Sequence, residues 1–340
     1  MLKFAKNSAL RIAKNIGTFD MVAGSRWRQQ RLLILCYHGL SQKDEHKWSN
    51  LFVTPAFFRS RLEILARRRY RVLPLNDALT MLREGSLPPR SVVITFDDGF
   101  HDFHQHGFPM LREFGLPATV YQMTCDADHP FPVFNLVLSY LFWRGAGRRL
   151  DGAACNVPGV FDLSPGGDRT SAVDVFLEAA RQRDYTAAQK NEIAARVAGE
   201  LGVDYGEILR LRMLQLMTSS EVSEIAAGGI DVQLHTHRHR TPLDEEMFRR
   251  EIRDNRQWLA AATGTQPTHF CYPSGCYRGE FLPWLRAEQV VSATTCDSGM
   301  ATRTCEPLLL PRLLDFMHVT EVDFEGWLAG FSSLLPHRRR

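Results

Sequence analysis

One uninterrupted apolar run in this chain ends in a pair of carboxylates, as Ser91-Val92-Val93-Ile94 passes directly into Thr95-Phe96-Asp97-Asp98-Gly99. A short run of this kind is typical of a strand buried on both faces, as in a parallel sheet covered by helices. Neighbouring side chains of a strand point to opposite faces, so Asp97 and Asp98 can converge only if the chain turns there. Gly99 supplies the freedom for that turn. The same three residue types are also common in ordinary turns.

Further short apolar runs alternate with helical patterns along most of the chain, which is typical of parallel strands joined by crossover helices. The predicted strands cover 32–37, 92–96, 118–123, 230–234, 268–272, 290–295 and 308–314. This pattern favours the α/β class and a distorted (β/α) barrel of about seven strands, closed or incomplete. The active sites of such barrels lie at the carboxyl ends of the strands. His38, Asp97, Asp98, His235 and Tyr272 are therefore expected on one rim.

The alternation is interrupted between residues 125 and 217, where helical patterns dominate. A segment of that length is not an unstructured loop in a compact domain. We predict a mainly helical insertion that forms a lid or an acceptor pocket. The expected organisation is a basic segment at 1–31, a barrel formed by 32–124 and 218–336, and the insertion at 125–217.

Charge and cysteine content exclude several classes of protein. The chain has 340 residues and a net charge of +3, too little to indicate nucleic-acid binding, for which no recognition motif is present either. The seven cysteines are scattered along the chain and form no Cys-x-x-Cys pair. An odd number of this kind argues against a disulfide framework and favours a reducing compartment.

The first 31 residues are strongly basic, with seven Lys and Arg against Asp20 alone, 7 − 1 = +6. Leu2, Ala5, Ala9, Ile12 and Ile16 recur at the three- and four-residue spacing of an amphipathic helix. Arg11 and Lys14 interrupt any signal-peptide core, and no apolar stretch is long enough to span a bilayer. We expect a cytoplasmic protein, either in peripheral contact with the inner face of the membrane or with this helix packed on the barrel.

A second group of candidate ligands follows the strand at 230–234, in the run His235-Thr236-His237-Arg238-His239. In an extended strand the α-carbons of His235 and His239 would lie about 13 Å apart, too far for two ligands of one ion. The backbone must therefore curl, which brings residues four apart to roughly 6 Å and turns His237 elsewhere. An exposed basic loop is the alternative interpretation.

Two histidines and one carboxylate would hold a single divalent ion and leave positions open for a water that loses its proton near neutral pH. Zinc suits these donors, and cobalt, nickel or iron would also be accepted. The chemistry predicted from the residues is therefore that of a metal-dependent hydrolase.

The two motifs, TFDDG at 95–99 and His-Thr-x-x-His at 235–239, resemble those of polysaccharide deacetylases of the NodB-homology class, carbohydrate esterase family 4. The resemblance covers about residues 32–124 and 218–315. It implies that Asp97 is the catalytic base and that Asp98, His235 and His239 bind the metal ion.

The third motif of the family is represented by Phe270-Cys271-Tyr272-Pro273-Ser274-Gly275, which lacks the arginine that orients the catalytic aspartate. Arg312 is a candidate substitute. The late Leu-x-His motif is also missing, and Phe316-Met317-His318 matches it only loosely. One branch of the family carries a Tyr-His pair like Tyr37-His38, so His38 is predicted as the general acid, with a structural histidine as the alternative.

The resemblance implies hydrolysis of an N-acetyl group on an amino sugar, in a polysaccharide or a lipid-linked intermediate of cell-surface polysaccharide synthesis. A backbone N–H near Ser274 or Gly275 would stabilise the oxyanion. The predicted substrate-facing residues are Tyr272, Pro273, Ser274, Gly275, Tyr277 and Arg312. Hydrolysis of another amide, a formamide or an ester, and a catalytically silent carbohydrate-binding protein, are the alternatives.

Overall fold

The computed structural model describes residues 10–164, 167 and 169–334. At its centre is a closed barrel of seven parallel strands, which follow one another around the ring in chain order. They are β1 (Arg31–Tyr37), β2 (Ser91–Phe96), β3 (Thr119–Gln122), β4 (Asp231–Leu234), β5 (His269–Cys271), β6 (Ser292–Ser298) and β7 (Leu310–Leu314). β1 closes the ring, because Leu35 pairs with Ile94 of β2 and with Leu313 of β7. The predicted (β/α) barrel is confirmed, in its closed form.

Helices surround the ring, and short strands extend it. The helices are Thr18–Ala23, Arg26–Gln29, Glu45–Trp48, Pro55–Arg67, Leu75–Glu84, Phe108–Phe114, Phe134–Arg144, Arg169–Gln182, Ala187–Glu200, Tyr205–Arg210, Ser219–Ala227, Glu245–Thr263, Phe281–Ala287 and Glu321–Ala329. Single turns of 3-10 helix occur at Gly152–Cys155, Pro273–Gly275 and Phe331–Leu334, and a π-helical turn at Phe103–Gly107. The outer strands are Gly39–Leu40, Phe52–Val53, Arg71–Val72, Arg149–Asp151, Val160–Asp162 and Ala301–Thr302.

Alternation along β1 divides its side chains between two apolar layers. Leu33 and Leu35 pack outward with Phe58 and Leu62 of the helix Pro55–Arg67. Leu32 and Ile34 pack instead in a second cluster, which includes the helix Leu75–Glu84. Strands buried on both faces carry continuous apolar runs, which explains the run before Asp97.

The segment 125–217 is mainly helical and has its own apolar cluster, to which Val137, Leu141, Phe176 and Val197 contribute. The barrel side adds Phe52, Phe100 and Met123 to the same cluster. Apolar packing therefore attaches this segment to the barrel. An antiparallel hairpin, Arg149–Asp151 with Val160–Asp162, was not predicted.

The described part of the basic N-terminal segment packs on the barrel through one face and exposes the other. Residues 10–15 are helical, and Leu10, Ala13 and Phe19 pack against Val322 and Ala329. On the opposite side Ile12, Ile16 and Met21 are 62%, 74% and 70% exposed. The predicted positions Leu2, Ala5 and Ala9 lie outside the described residues.

Arg28 holds this segment to the start of the barrel strands. Its buried guanidinium donates to the carbonyls of Leu328, Arg31 and Ser91 at 2.9, 2.6 and 3.0 Å. Burial lowers the pKa of Arg28 to about 10.

All seven cysteines are free thiols. Among the helices that the structure describes, none combines the length and the apolar character that a bilayer crossing requires.

Candidate metal and catalytic site

The chain turns sharply where β2 ends, and this turn separates the two carboxylates. Asp98 and Gly99 have φ of 69° and 77°, in the left-handed region that favours glycine. A Cβ at Gly99 would lie 1.9 Å from Oε1 of Gln122, so any larger residue there would have to displace the buried Gln122 side chain. The expected exit from the strand is therefore present, and both carboxylates are buried.

The histidine segment after β4 also curls, as predicted. Thr236 and His239 have φ of 62° and 51°, and the rings of His235 and His239 lie 4.9 Å apart. His237 turns away, with Nδ1 2.9 Å from the Thr124 hydroxyl.

Asp98, His235 and His239 converge on one point. Oδ1 of Asp98 lies 3.1 Å from Nε2 of His235 and 3.2 Å from Nε2 of His239. The three donor atoms are all within 4.8 Å of one another. The structure thus brings together the three predicted ligands from two distant parts of the chain.

The donor set fits a divalent transition metal. Nδ1 of His235 lies 2.9 Å from the Cys271 carbonyl oxygen, an acceptor that places the ring proton on Nδ1. The Nε2 lone pair then faces Asp98, so two acceptors lie at contact distance and call for a cation between them. A ring N–H held by a carbonyl is the usual support of a metal-binding histidine.

The pKa shifts of Asp98 and His239 are consistent with a cation site. Burial would raise the pKa of Asp98, but the charge and the hydrogen bond of His239 outweigh burial and hold the pKa well below its usual range. Burial lowers the pKa of His239, yet the charge and hydrogen bond of Asp98 raise it above the ordinary value. An anionic oxygen is therefore maintained between two imidazoles.

The helix Glu245–Thr263 supports the histidine segment through two buried residues. Oδ1 of Asn255 accepts the backbone N–H of His235 at 2.9 Å, and its Nδ2 donates to the Gln122 carbonyl and the Thr124 hydroxyl. One turn earlier, Glu251 accepts the Arg238 N–H at 2.7 Å. Neither Asn255 nor Glu251 can be recognised as a supporting residue from the sequence, because a polar residue within an amphipathic helix gives no local signal of burial.

Asp97 is paired with Arg312 inside the barrel. Nη1 and Nη2 of Arg312 donate to Oδ1 and Oδ2 of Asp97, both at 2.7 Å. Burial would raise the pKa of Asp97, but Arg312, together with His38 and His235, holds it well below its usual range. Cys271, at the position where the family has its arginine, contacts the same carboxylate at 3.3 Å.

Arg312 therefore lies where an orienting arginine is needed. It is fully buried, which corrects its grouping with substrate-facing residues. The side chain reaches Asp97 through the barrel interior, so it has no surface left for a sugar.

His38 lies at the end of β1 beside the two aspartates. Its Nε2 is 3.8 Å from Oδ2 of Asp97, and its side chain is 12% exposed. Burial lowers the pKa of His38, and Asp97 and Asp98 only partly offset this effect. The predicted acid is thus within reach of the rim, whereas His318 is exposed and stacks on Phe316.

The turn after β5 contributes exposed and buried residues to the rim. Tyr272 and Pro273 are buried, while Ser274 and Tyr277 are exposed. The Tyr272 hydroxyl donates to the Leu308 carbonyl at 3.0 Å. This corrects the expectation that Tyr272 and Pro273 contact substrate. Cys271 faces the barrel interior, so the next side chain points away from it, into the apolar layer outside the barrel.

The predicted oxyanion donors are also placed by this turn. The Gly275 N–H donates to the Tyr272 carbonyl at 2.9 Å, so it is already used within the turn. Ser274 has φ of 55° and lies at the exposed point of the turn.

Comparisons with known proteins agree with this fold. The family model of the polysaccharide deacetylases matches residues 84–138 and 165–290, more than half of the chain. The chain therefore belongs to the polysaccharide deacetylase family.

Two relatives are similar over part of the chain. YxkH of Bacillus subtilis (strain 168), which carries a polysaccharide deacetylase name, is 31% identical over 100 residues, covering 29% of this chain and 34% of that protein. A poly-beta-1,6-N-acetyl-D-glucosamine N-deacetylase of Staphylococcus epidermidis (strain RP62A) is 27% identical over 110 residues, or 29% and 38% of the two chains. The chain thus spans little more than a third of the length of these curated relatives.

Solved structures share the fold over most of the chain. The Streptococcus pyogenes deacetylase PplD, in complex with acetate, superposes with a TM-score of 0.58 at 17% identity and covers 86% of this chain and 96% of that one. IcaB from Ammonifex degensii gives 0.56 at 16% identity, with 88% and 97% covered.

Proposed function

We propose that this chain is a metal-dependent hydrolase that removes N-acetyl groups from an amino sugar within a polysaccharide. The observation that carries the proposal is the convergence of Asp98, His235 and His239 beside a second carboxylate, Asp97. Family membership supports the reaction class, and the name of the Staphylococcus epidermidis relative supports a polymer of N-acetylglucosamine as substrate. A lipid-linked saccharide carrying the same sugar would present the same acetamide.

A divalent ion, most simply Zn²⁺, would be held by Asp98, His235 and His239. When bound, it would polarise the acetamide carbonyl and lower the pKa of a water molecule. Cobalt, nickel and iron satisfy the same donors.

The residues of the chain would perform the proton transfers. Asp97, kept ionised by Arg312, would accept the proton of the attacking water. His38 would give a proton to the departing amine, after taking it from solvent or from Asp97. We assign the oxyanion to the Ser274 N–H, and Tyr277 to the edge of the sugar site.

The test is an acetate-release assay on N-acetylglucosamine oligomers, with metal content measured on the same samples. We expect Asp97→Asn to keep the ion but to lose about 10²- to 10⁴-fold in rate, the usual contribution of general acid–base catalysis. Asp98→Asn should lose both rate and ion, and the exposed Asp77→Asn neither. Near-normal rates in Asp97→Asn would show that the base is assigned wrongly. Absence of acetate release from metal-replete protein would contradict the activity.

We also propose that the exposed face of the N-terminal helix contacts an anionic membrane surface, at the cytoplasmic side. Ile12 and Ile16 lie four residues apart and therefore on one face, and the exposed Arg11 lies beside them, whereas Lys14 is paired with the buried Glu325. Basic amphipathic helices bind such surfaces by burying their apolar face and by electrostatic attraction to anionic lipids.

Sedimentation with vesicles tests this contact. Binding to vesicles containing phosphatidylserine, but not to neutral phosphatidylcholine vesicles, is expected for the wild type. An Ile12→Ser/Ile16→Ser variant should lose it. The matched control is Leu243→Ser, at an apolar residue that is 63% exposed elsewhere. Equal binding by both variants would contradict the proposal.

A further inference from the structure

A second cluster of metal-ligating side chains lies outside the catalytic site. His101 and His104 follow the catalytic turn, and Glu221 lies in the first turn of the helix Ser219–Ala227. One ligand atom from each of these three residues lies within 4.8 Å of the other two. None of the three belongs to the group formed by Asp98, His235 and His239.

The Nδ1 atoms of both imidazoles face Oε1 of Glu221. Nδ1 of His101 lies 2.9 Å from Oε1 of Glu221, and Nδ1 of His104 lies 3.7 Å from it. The His101 Nδ1 is buried, and its close contact with Oε1 of Glu221 is not aligned as a hydrogen bond. An ion between the nitrogen and the carboxylate would bind both.

The outer nitrogen of His104 is already held by a carboxylate. Its Nε2 lies 2.9 Å from Oε2 of Glu224, which favours the proton on Nε2 and leaves the Nδ1 lone pair facing Glu221. Metal-binding histidines are usually supported in this way, by a carboxylate that accepts the other ring N–H. This is a second observation, independent of the cluster itself, that indicates a metal ligand.

We propose that His101, His104 and Glu221 form a second divalent-metal site, of the zinc class, that joins the segment after the catalytic turn to the helix Ser219–Ala227. Two imidazole nitrogens and one carboxylate oxygen suit Zn²⁺, Co²⁺ or Ni²⁺, whereas Mg²⁺ and Ca²⁺ prefer oxygen ligands alone. The rings are 12% and 22% exposed, so solvent can supply further ligands.

Arg212 is the competing cation at this site. Its guanidinium donates to both oxygens of Glu221 and shares Oε1 with the two imidazoles. This arrangement leaves the carboxylate in place when no ion is bound. It also predicts an affinity lower than that of a site without a neighbouring positive charge.

Metal counting separates this site from the catalytic one. We expect wild-type protein to bind two equivalents of Zn²⁺, measured by calorimetric titration after treatment with a chelator, and Co²⁺ absorption to report both sites. The His235→Ala/His239→Ala variant should retain one equivalent, and so should His101→Ala/His104→Ala. His106→Ala, a matched change in the same segment and outside the cluster, should retain two.

A variant that leaves all three ligands intact tests the supporting carboxylate. Glu224 is exposed, and Glu224→Ala should weaken the second site about tenfold, as loss of such a partner typically does. An unchanged Kd in Glu224→Ala, no equivalent bound by His235→Ala/His239→Ala, or saturation only at millimolar Zn²⁺ would each overturn the proposal. Because these readouts count ions, they do not depend on the deacetylase assay.

Discussion

Arg312 and Asp97, which are 215 positions apart in the chain, form a bidentate ion pair inside the barrel. Thr95 accepts a further hydrogen bond from Arg312 Nη1 at 3.1 Å. The pair therefore fixes both the orientation and the ionisation of the proposed base.

Replacing this arginine should affect stability as well as rate. In Arg312→Gln the Asp97 carboxylate stays buried without its charge partner, which typically costs about 3–5 kcal/mol. We expect a loss of this order in the free energy of unfolding, measured with urea, and a lower acetate-release rate in the folded fraction. Arg303→Gln, at an exposed arginine, should change stability by less than about 0.5 kcal/mol. Equal stability of the two variants would contradict the assigned role of the pair.

Asn255 should act as a positioning residue for the metal site. Asn255→Ala leaves the His235 N–H, the Gln122 carbonyl and the Thr124 hydroxyl without their partner, which we expect to cost about 2–3 kcal/mol. Metal affinity should fall about 10- to 100-fold, as for other supporting groups, with activity restored at high Zn²⁺. The control is Gln257→Ala, on the exposed face of the same helix. Loss of stability without any change in Kd would show a purely structural role.

His38 and His318 are distinguished by a matched pair of substitutions. His38→Gln should lower the acetate-release rate by about 10²- to 10⁴-fold, the usual contribution of a general acid, and leave the metal content unchanged. His318 is exposed, so His318→Gln should retain the wild-type rate. The reverse result would transfer the acid role to His318.

Glu221 should make stability depend on pH in the chelator-treated protein. Burial would raise its pKa, but His101, Arg212 and the Thr218 N–H outweigh burial and lower the pKa from the usual 4.5. A lowered folded-state pKa gives stability that is fully present above pH 4.5 and is lost as pH falls toward the folded-state value. Wild type should therefore exceed Glu221→Gln by about 1–2 kcal/mol at pH 7, and the difference should shrink below pH 4.5. A constant difference down to pH 3 would contradict this.

Local patterns predicted the elements of the fold well. The capping boxes Thr186/Gln189 and Thr218/Glu221 begin helices, and such boxes can be recognised in a sequence because their hydrogen bonds join residues three apart. Parallel strands place their carboxyl ends on one rim, so the convergence of the two motifs followed from strand order alone.

Contacts between distant residues were harder to predict. Arg312 could be named as a substitute for the missing arginine. Its burial and its bidentate contact with Asp97, however, depend on how β7 pairs with β1. Tyr272 was wrongly assigned to the substrate, since the sequence does not show which face of a buried strand is the barrel interior. Asn255 gave no signal, because its partners come from β3 and the loops after β3 and β4.

The attachment of Arg28 to Arg31 and Ser91, the first residues of β1 and β2, places the N-terminal helix at the end of the barrel opposite the catalytic rim. β1 has seven residues, which at about 3.3 Å each separates the two ends by roughly 20 Å. If Ile12 and Ile16 rest on a bilayer, the reacting acetamide is held well above the lipid headgroups. Such a geometry would favour sugar units some distance along a glycan over those next to its lipid.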